Sequence, residues 1–392
     1  MVTYPKDWRE YRLLECVSLV QGLTYTPENV KAGGTLVLRS SNIQDGRLSL
    51  DDNVYVDCVI SEEKQIQDND ILVCVRNGSS ALIGKSCILR KIPNTTFGAF
   101  MAVLRGDKTG YIAKIFVHDI VQSQVRDRSN ATINQITKKD FESIKIAVPP
   151  IAEQKAIAAA IFSFDTHIDN LTALIEKKKA IRDGALADLM SGRTRLAGFS
   201  GEWELRRIRD IGNIITGSTP PRGNSNLWNG DFCWVTARDL KGKYVSTTFE
   251  KITSVGKEYC RTVPKGSVLV TCIASIGLNG IATVSLATNQ QINSVICYDE
   301  YHSEFVYYCI EYNRPRLEQM AGQTAVPIVS KKQFGGLEVD IPANLDEQKA
   351  IADILASMDT EIQNLEAERD KIQAMREGAM DDLLTGRVRL PL

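Results

Sequence analysis

The sequence lacks any run of about 18 apolar residues, which excludes a typical membrane-spanning helix. It is poor in histidine, with three in 392 residues, and its nine cysteines are scattered without a CxxC pair. A structural zinc site therefore has no basis. Dispersed thiols of this kind read as buried and reduced, as in a cytosolic protein. Charge of one sign is missing in bulk: the formal net charge is −1. Any nucleic-acid surface has to be a local patch. The opening residues, MVTYPKDWREY, have neither the n-region nor the h-region of a signal peptide.

Catalytic constellations are missing as well. The stretch Gly78-Ser-Ser-Ala-Leu-Ile-Gly84-Lys85-Ser86 resembles a phosphate cradle, but five residues separate its glycines where the cradle needs four. Its counterpart in the second half, Ala274-Ser-Ile-Gly277, has no lysine. Thr219-Pro-Pro-Arg222 and Val148-Pro-Pro-Ile151 are not the Asn/Asp-Pro-Pro-aromatic motif of amino-methyltransferases. His118, His167 and His302 have no nucleophile or carboxylate pattern around them, and His167 reads as a solvated face residue.

What the sequence does have is one long helical segment stated twice. Residues 153–196 and 347–390 align without a gap, and more than half of the positions are identical. Such a repeat outranks other signals. Fainter matches extend it: Trp8 recurs as Trp203, Gln21-Gly22 as Thr216-Gly217, and Lys138-Lys139 with Phe141 as Lys331-Lys332 with Phe334. The order is variable block, helix, variable block, helix. Like helices imply one shared task, and divergent blocks imply two different ones.

Ile157, Ile161, Phe164, Ile168, Leu171 and Ile175 are spaced 4-3-4-3-4, and Ile351, Leu355, Met358, Ile362 and Leu365 keep that rhythm. This is a heptad seam that packs against a partner helix. The obvious partner is the other repeat, running antiparallel; a coiled-coil dimer between chains is the alternative. The first helix follows Pro149-Pro150. Asn344-x-x-Glu347 reads as a capping box for the second, and Gly192 and Gly386 as their C′ residues. Each helix spans about 60 Å at 1.5 Å per residue. Gly184 and Gly378 interrupt the helices at matching positions, at a cost of about 1 kcal/mol against Ala. Close helix approach is the compensation the sequence implies. The second helix is the more acidic, which keeps it off phosphates.

Residues 1–148 and 198–341 read as β-rich blocks. Apolar runs such as those at 71–75 and 267–271 are bounded by Gly, Asn and Asp, as strands are. Short helices are expected near 111–124 and 304–320. The fold class is α/β (α+β), with helical spacers at 149–197 and 342–392.

Pro149-Pro150-Ile-Ala-Glu153-Gln154-Lys155 and Pro342-Ala-Asn-Leu-Asp-Glu347-Gln348-Lys349 resemble the starts of the conserved helical regions of type I restriction–modification specificity subunits. The endings Gly192-Arg-Thr-Arg195-Leu and Gly386-Arg-Val-Arg389-Leu fit the same family, as do Trp234-Val-Thr-Ala-Arg238-Asp239 and Arg76-Asn-Gly78. The resemblance covers essentially the whole chain. It implies two target recognition domains, each reading half of an asymmetric split DNA site, and helices that set the spacer and dock methyltransferase subunits. It implies no catalytic activity in this chain and no cofactor of its own: S-adenosylmethionine and ATP would bind on partner subunits. The partners implied are double-stranded DNA, methyltransferase subunits (two of them) and restriction or translocase subunits, in the cytoplasm and with no membrane. Domains held apart by a helix pair would meet DNA about one turn, roughly 34 Å, apart. Residues 389–392 would abut residues 4–8, much as Arg195 leads into Trp203. The alternatives are a related system whose partner fuses nuclease and methyltransferase, and a coiled-coil scaffold that reads no DNA.

Base edges are met by Arg, Asn and Gln, and phosphates by Lys, Arg, Ser and backbone amides. In the first block the candidates for DNA contact are Asn42, Arg76, Asn77, Ser79, Lys85, Arg126, Arg128, Asn130, Thr132 and Asn134. In the second they are Ser218, Thr219, Arg222, Asn224, Arg238, Ser275, Asn279, Gln290, Gln291 and Gln323. The competing reading for each is a turn-forming or solvated loop side chain.

Overall fold

The structure, a computed structural model, describes residues 3–131, 134–322 and 325–391, with the side chains of residues 130 and 131 excluded. The chain forms two compact units, one from residues 1–172 and 367–392, the other from residues 173–366. Each long helix, Ile151–Met190 and Leu345–Leu383, gives one part to each unit.

In the first unit the strands Ser18–Gln21, Met101–Arg105, Ile71–Cys74 and Ser86–Ile88 form one sheet in that order. A second sheet holds Val54–Val56, Val30–Leu38 and Thr95–Phe97. The second unit repeats the plan. Gly212–Thr216, Ile292–Cys297, Val268–Thr271, Asn279–Ala282 and Tyr244–Val245 form one sheet. Glu250–Ile252, Trp228–Val235, Leu286–Thr288 and Thr262–Val263 form the other. The strands Ile71–Cys74 and Val268–Thr271 are buried throughout and apolar but for Thr271, because sheet lies on one side and helix on the other. The helices foreseen near 111–124 and 304–320 are each split in two, as Tyr111–Val117 with Asp119–Ala131 and as Ser303–Tyr312 with Arg314–Met320.

Each block begins and ends in one antiparallel pair. Arg9–Arg12 pairs with Lys145–Val148, and Trp203–Arg207 with Glu338–Pro342. The chain therefore leaves a block beside its point of entry, and the tryptophan that precedes or opens the first strand meets the start of the long helix. There Glu153, 1% exposed, accepts hydrogen bonds from Trp8 Nε1 (3.2 Å) and Arg389. Arg389 also reaches Asp7 at 2.8 and 3.1 Å. In the second unit Glu347, also 1% exposed, accepts from Arg195 Nε and Nη2 (2.8 and 2.9 Å) and from Trp203 Nε1 (3.4 Å). Glu347 is thus not the capping-box side chain that the spacing suggested. Its carboxylate turns inward to a guanidinium, and Asn344 Oδ1 caps Asp346 N alone (2.8 Å). A carboxylate in a first helical turn also faces the positive end of the helix dipole.

The glutamine that follows has its own task. Gln154 donates to Pro149 O (2.8 Å), and Gln348 donates to Pro342 O (3.0 Å) and Glu300 O (3.1 Å). Both glutamines tie the helix to the strand before it. At the far ends Gly192 and Gly386 take φ of 67° and 72°, the left-handed C′ conformation.

Within each unit the helix segments run antiparallel. In the first, Asp165 pairs with Arg376 (2.5 Å) and His167 lies 3.6 Å from Glu368. In the second, Asp359 pairs with Arg182 (2.9 Å) and Glu361 with Lys178 (2.6 Å). The aspartate–arginine pair recurs with the two helices exchanged. Block side chains complete each cluster: Lys114 Nζ lies 2.6 Å from Asp165, and Tyr308 donates to Asp359 at 2.5 Å.

The heptad stripe is buried at Ile157, Ile161, Ile168, Leu171, Ile175, Ile351, Leu355 and Ile362, and half-buried at Phe164, Met358 and Leu365. It is not a two-helix seam alone. Ile157 and Ile161 share a core with Met380 and Leu383 of the other helix and with Ile115 and Phe116 of the block. Ile351 and Leu355 share one with Leu186, Leu189 and Phe305. Close helix approach at Gly184 and Gly378 is overturned: both are exposed, and a Cβ built there meets nothing within 4 Å. His167 is solvated, as expected, with half its side chain exposed.

Arg195→Ala leaves a buried carboxylate on the tryptophan alone. It should lower stability by on the order of 3 kcal/mol, read as a drop in urea midpoint. Arg195→Lys should recover only part, since an ammonium cannot form the two-pronged contact.

Candidate nucleic-acid interface

Loops gather at one edge of each block, three in the first unit and two in the second. In the first unit the loop after Ile71–Cys74 is clasped to the segment before Lys138–Ser143. Arg76 bridges Gln135, Asn77 N donates to Asn134 O (3.3 Å), and Asn134 Nδ2 donates to Gly78 O (3.0 Å). Asn77 Nδ2 also donates to Ser40 Oγ at 3.1 Å, which joins the turn Ser40–Asn42 to the cluster. In the second unit the same clasp is made by Ile273 with Ile328 and by Ala274 N with Pro327 O (2.9 Å). Ala274 pays for this loop path with φ of 65°, a strained conformation for a residue with a Cβ. The phosphate-cradle reading of 78–86 fails structurally as well, because a strand, Ser86–Ile88, follows it rather than a helix N-terminus.

The candidates divide by what their polar atoms already do. Arg76 is exposed, its guanidinium 5.5 Å from the centroid of the exposed Phe100 ring. Ser79, Asn224, Ser275 and Gln290 are exposed, and Lys85 is half-buried. Asn42 is different: it is fully buried, accepting from Arg39 N (2.9 Å) and donating to Ser49 O (3.0 Å) and Asp52 O (3.1 Å). It clamps a turn and has no free edge for DNA. Arg128 serves the fold, donating to Gln124 O, Ser143 O and Ser143 Oγ. Arg126 pairs with Asp119 on the surface of its own helix. Asn279 donates to Tyr307 O (2.7 Å), and Gln291 accepts from Asn289 (2.9 Å). Ser218 accepts from Arg261 N (3.0 Å), and Thr219 is bonded to Gln290. Thr132, Gln323 and the side chain of Asn130 lie outside the described residues.

Sequence reading missed a cation–aromatic cluster in the second block. Arg222 lies 4.0 Å from the centroid of Trp228 and 4.9 Å from that of Trp234. Its Nη1 and Nη2 reach Glu250 at 2.5 and 3.2 Å. Arg238 shares Glu250 (3.2 Å) and sits 4.9 Å from the Phe249 centroid, with Lys241 at 5.4 Å from the same ring. Lys257 lies over Phe232 at 4.6 Å. The Arg222 hydrogen bond, with some opposition from burial, holds the Glu250 carboxyl below its ordinary range, so it stays ionised at neutral pH. The only advance signal was aromatic residues interleaved with basic ones across 222–257.

Nothing in this cluster is arranged for covalent chemistry. Among the described residues, no group of His, Cys, Asp and Glu could hold a metal ion. The cysteines are free, and burial pushes the Cys87 and Cys309 thiols up to about 12, which keeps them protonated.

The model of the family described as type I restriction modification DNA specificity domain matches residues 5–180 and again residues 200–374. The chain is 24% identical over 411 aligned residues to the putative type I restriction enzyme MjaX specificity subunit of Methanocaldococcus jannaschii, covering 98% of this chain and 95% of that one. It is 29% identical over 202 residues to the EcoKI specificity subunit of Escherichia coli K12, covering 48% of this chain and 44% of that one. Its fold matches that of the S subunit of a type I restriction–modification system from M. genitalium, with a TM-score of 0.64 at 17% identity over 96% of both chains.

Asn42→Ala should lower stability by about 2–4 kcal/mol, because it strands buried backbone groups. The DNA sequence that is recognised should stay the same. Denaturation midpoint and motif mapping on one preparation check both.

Proposed function

The chain belongs to the type I restriction modification DNA specificity family, and from that premise we propose how its parts divide the work. It is a non-catalytic specificity subunit, and DNA and the methyltransferase and restriction subunits of such a complex are its partners. Residues 1–148 and 198–341 act as target recognition domains, each reading one half of an asymmetric split site. The observation that carries this is a repeated frame with unlike loops. The Glu–Arg–Trp clamps and aspartate–arginine pairs recur residue for residue, while Arg76 on Phe100 in one block faces no counterpart of the Arg222–Glu250–Arg238 cluster in the other.

The long helices set the unread spacer and dock two methyltransferase subunits. Support comes from Ile181 and Met375, equivalent in the repeat and each about half exposed (48% and 49%), beside the open Gly184 and Gly378. A glycine that nothing crowds within the chain fits a close approach from outside it. S-adenosylmethionine and ATP are assigned to the partner subunits, and the complex to the cytoplasm.

Inserting about one heptad at matching points of both helices should lengthen the spacer and leave the half-site bases unchanged. Changed half-site bases would refute the spacer role. Gly184→Leu and Gly378→Leu should leave the isolated chain as stable or slightly more so, yet weaken assembly with methyltransferase subunits at least tenfold. Undiminished assembly would remove these positions from the docking face.

A further inference from the structure

Arg238 stands on a backbone fixed at several points. Ala237–Asp239 is a single 3-10 turn. Asp239 Oδ2 accepts from Thr236 N (2.8 Å) and Thr236 Oγ1 (2.7 Å), and Asp239 Oδ1 accepts from Phe249 N (2.8 Å). One carboxylate therefore locks the turn and ties it to the neighbouring chain segment.

The side chain, 54% exposed, is guided by two neighbours. Its Nη2 meets Glu250 Oε2 at 3.2 Å, and its guanidinium lies on Phe249, a ring 71% exposed. Glu250 is itself gripped by both Nη atoms of Arg222. Arg222 rests on Trp228 and Trp234, whose rings meet at 89° with centroids 5.0 Å apart. The indoles are anchored by Trp234 Nε1 to Ser218 O (2.9 Å) and Trp228 Nε1 to Pro221 O (3.3 Å). The order runs from a buried tryptophan to Arg222, to Glu250, to Arg238.

The two arginines are not equivalent. Arg222 spends both Nη groups on Glu250. Arg238 meets Glu250 through Nη2 alone, as an ion pair without a hydrogen bond, and among the described residues none of its N–H groups has a protein hydrogen-bond acceptor, so the parallel N–H groups of its Nε–Nη2 edge stay available. Arg222, Arg238 and Lys241 together outnumber the Glu250 and Asp239 carboxylates, which leaves a net positive charge at the spot. A free arginine side chain carries about 2 kcal/mol of rotamer entropy, and the Glu250 carboxylate and the Phe249 ring reduce that freedom here before any ligand arrives. A preorganised fork of two N–H donors matches O6 and N7 of guanine in the major groove, and such a pair discriminates against wrong bases by about 1–3 kcal/mol.

We propose that Arg238 is a specificity-determining residue of the second recognition domain, reading one guanine of its half-site through the parallel N–H groups of its Nε–Nη2 edge, and that Glu250 and Arg222 are positioning residues that hold this fork. The proposal rests on reading the second block as a DNA recognition domain. Arg222, a contact candidate by sequence, here acts through Glu250.

The test uses the full chain assembled with its methyltransferase subunits on a DNA library randomised at each position of the site. Arg238→Gln should make one base pair of the second half-site degenerate, with discrimination there falling about 5- to 100-fold. The first half-site should stay unchanged. Glu250→Gln and Arg222→Gln should relax the same base pair by less, and Arg222→Lys should restore part of it. A merely structural role would lower methylation of all sequences together and relax none. An unchanged motif in Arg238→Gln, or uniformly weaker methylation as for a phosphate contact, overturns this proposal alone. A wild-type complex that methylates no split motif overturns the recognition reading and this proposal with it.

Discussion

A buried glutamate in the first turn of each long helix organises the unit around it. Glu153 and Glu347 each lie about 1% exposed. An isolated carboxylate there would cost several kcal/mol. The cost is met by an arginine from the tail that follows the other helix and by an indole from the head of the block. One contact thereby fixes three things within each unit: where the block starts, where its long helix starts, and where the antiparallel helix ends. The sequence separations are 236 residues for Glu153–Arg389 and 152 for Glu347–Arg195, so no local preference could have set them.

This constraint explains which parts of the chain repeat. The Glu, Arg and Trp of the clamp and the Asp and Arg of the pair are the same in both copies, whereas the shared core keeps only its apolar character, as in Ile161 against Leu355 and Leu186 against Met380. Loop residues that no such contact restrains differ. A frame held by buried ion pairs tolerates few substitutions, because loss of one partner strands a charge. Surface loops carry no such penalty. Two domains with one frame and unlike loops are what recognition of two unlike half-sites requires.

Much of this was legible in the sequence, and the limits have physical causes. Helix extent followed from Gly192 and Gly386 and from the 3-4 spacing, which are local signals. The strands at 71–74 and 268–271 followed from apolar runs between turn residues. The capping-box reading of Glu347 failed because the motif describes a local bond, while a distant guanidinium and indole offered a better one. Gly184 and Gly378 misled because the identity of a mid-helix glycine does not say whether anything packs on it, and within the chain both are open. Asn42 looked like a base reader because burial of a polar amide is a tertiary fact. Arg222 and Arg238 were found, but their inequality was not: it depends on Glu250 and Phe249, whose approach is set by strand pairing in the second block.

The measurement that tests the central claim most directly is a genome-wide map of methylated adenine with this gene present and deleted, in cells that hold the methyltransferase partner. The account predicts one asymmetric split motif, methylated on both strands and lost on deletion. Methylation of the same split motif in both strains would contradict it.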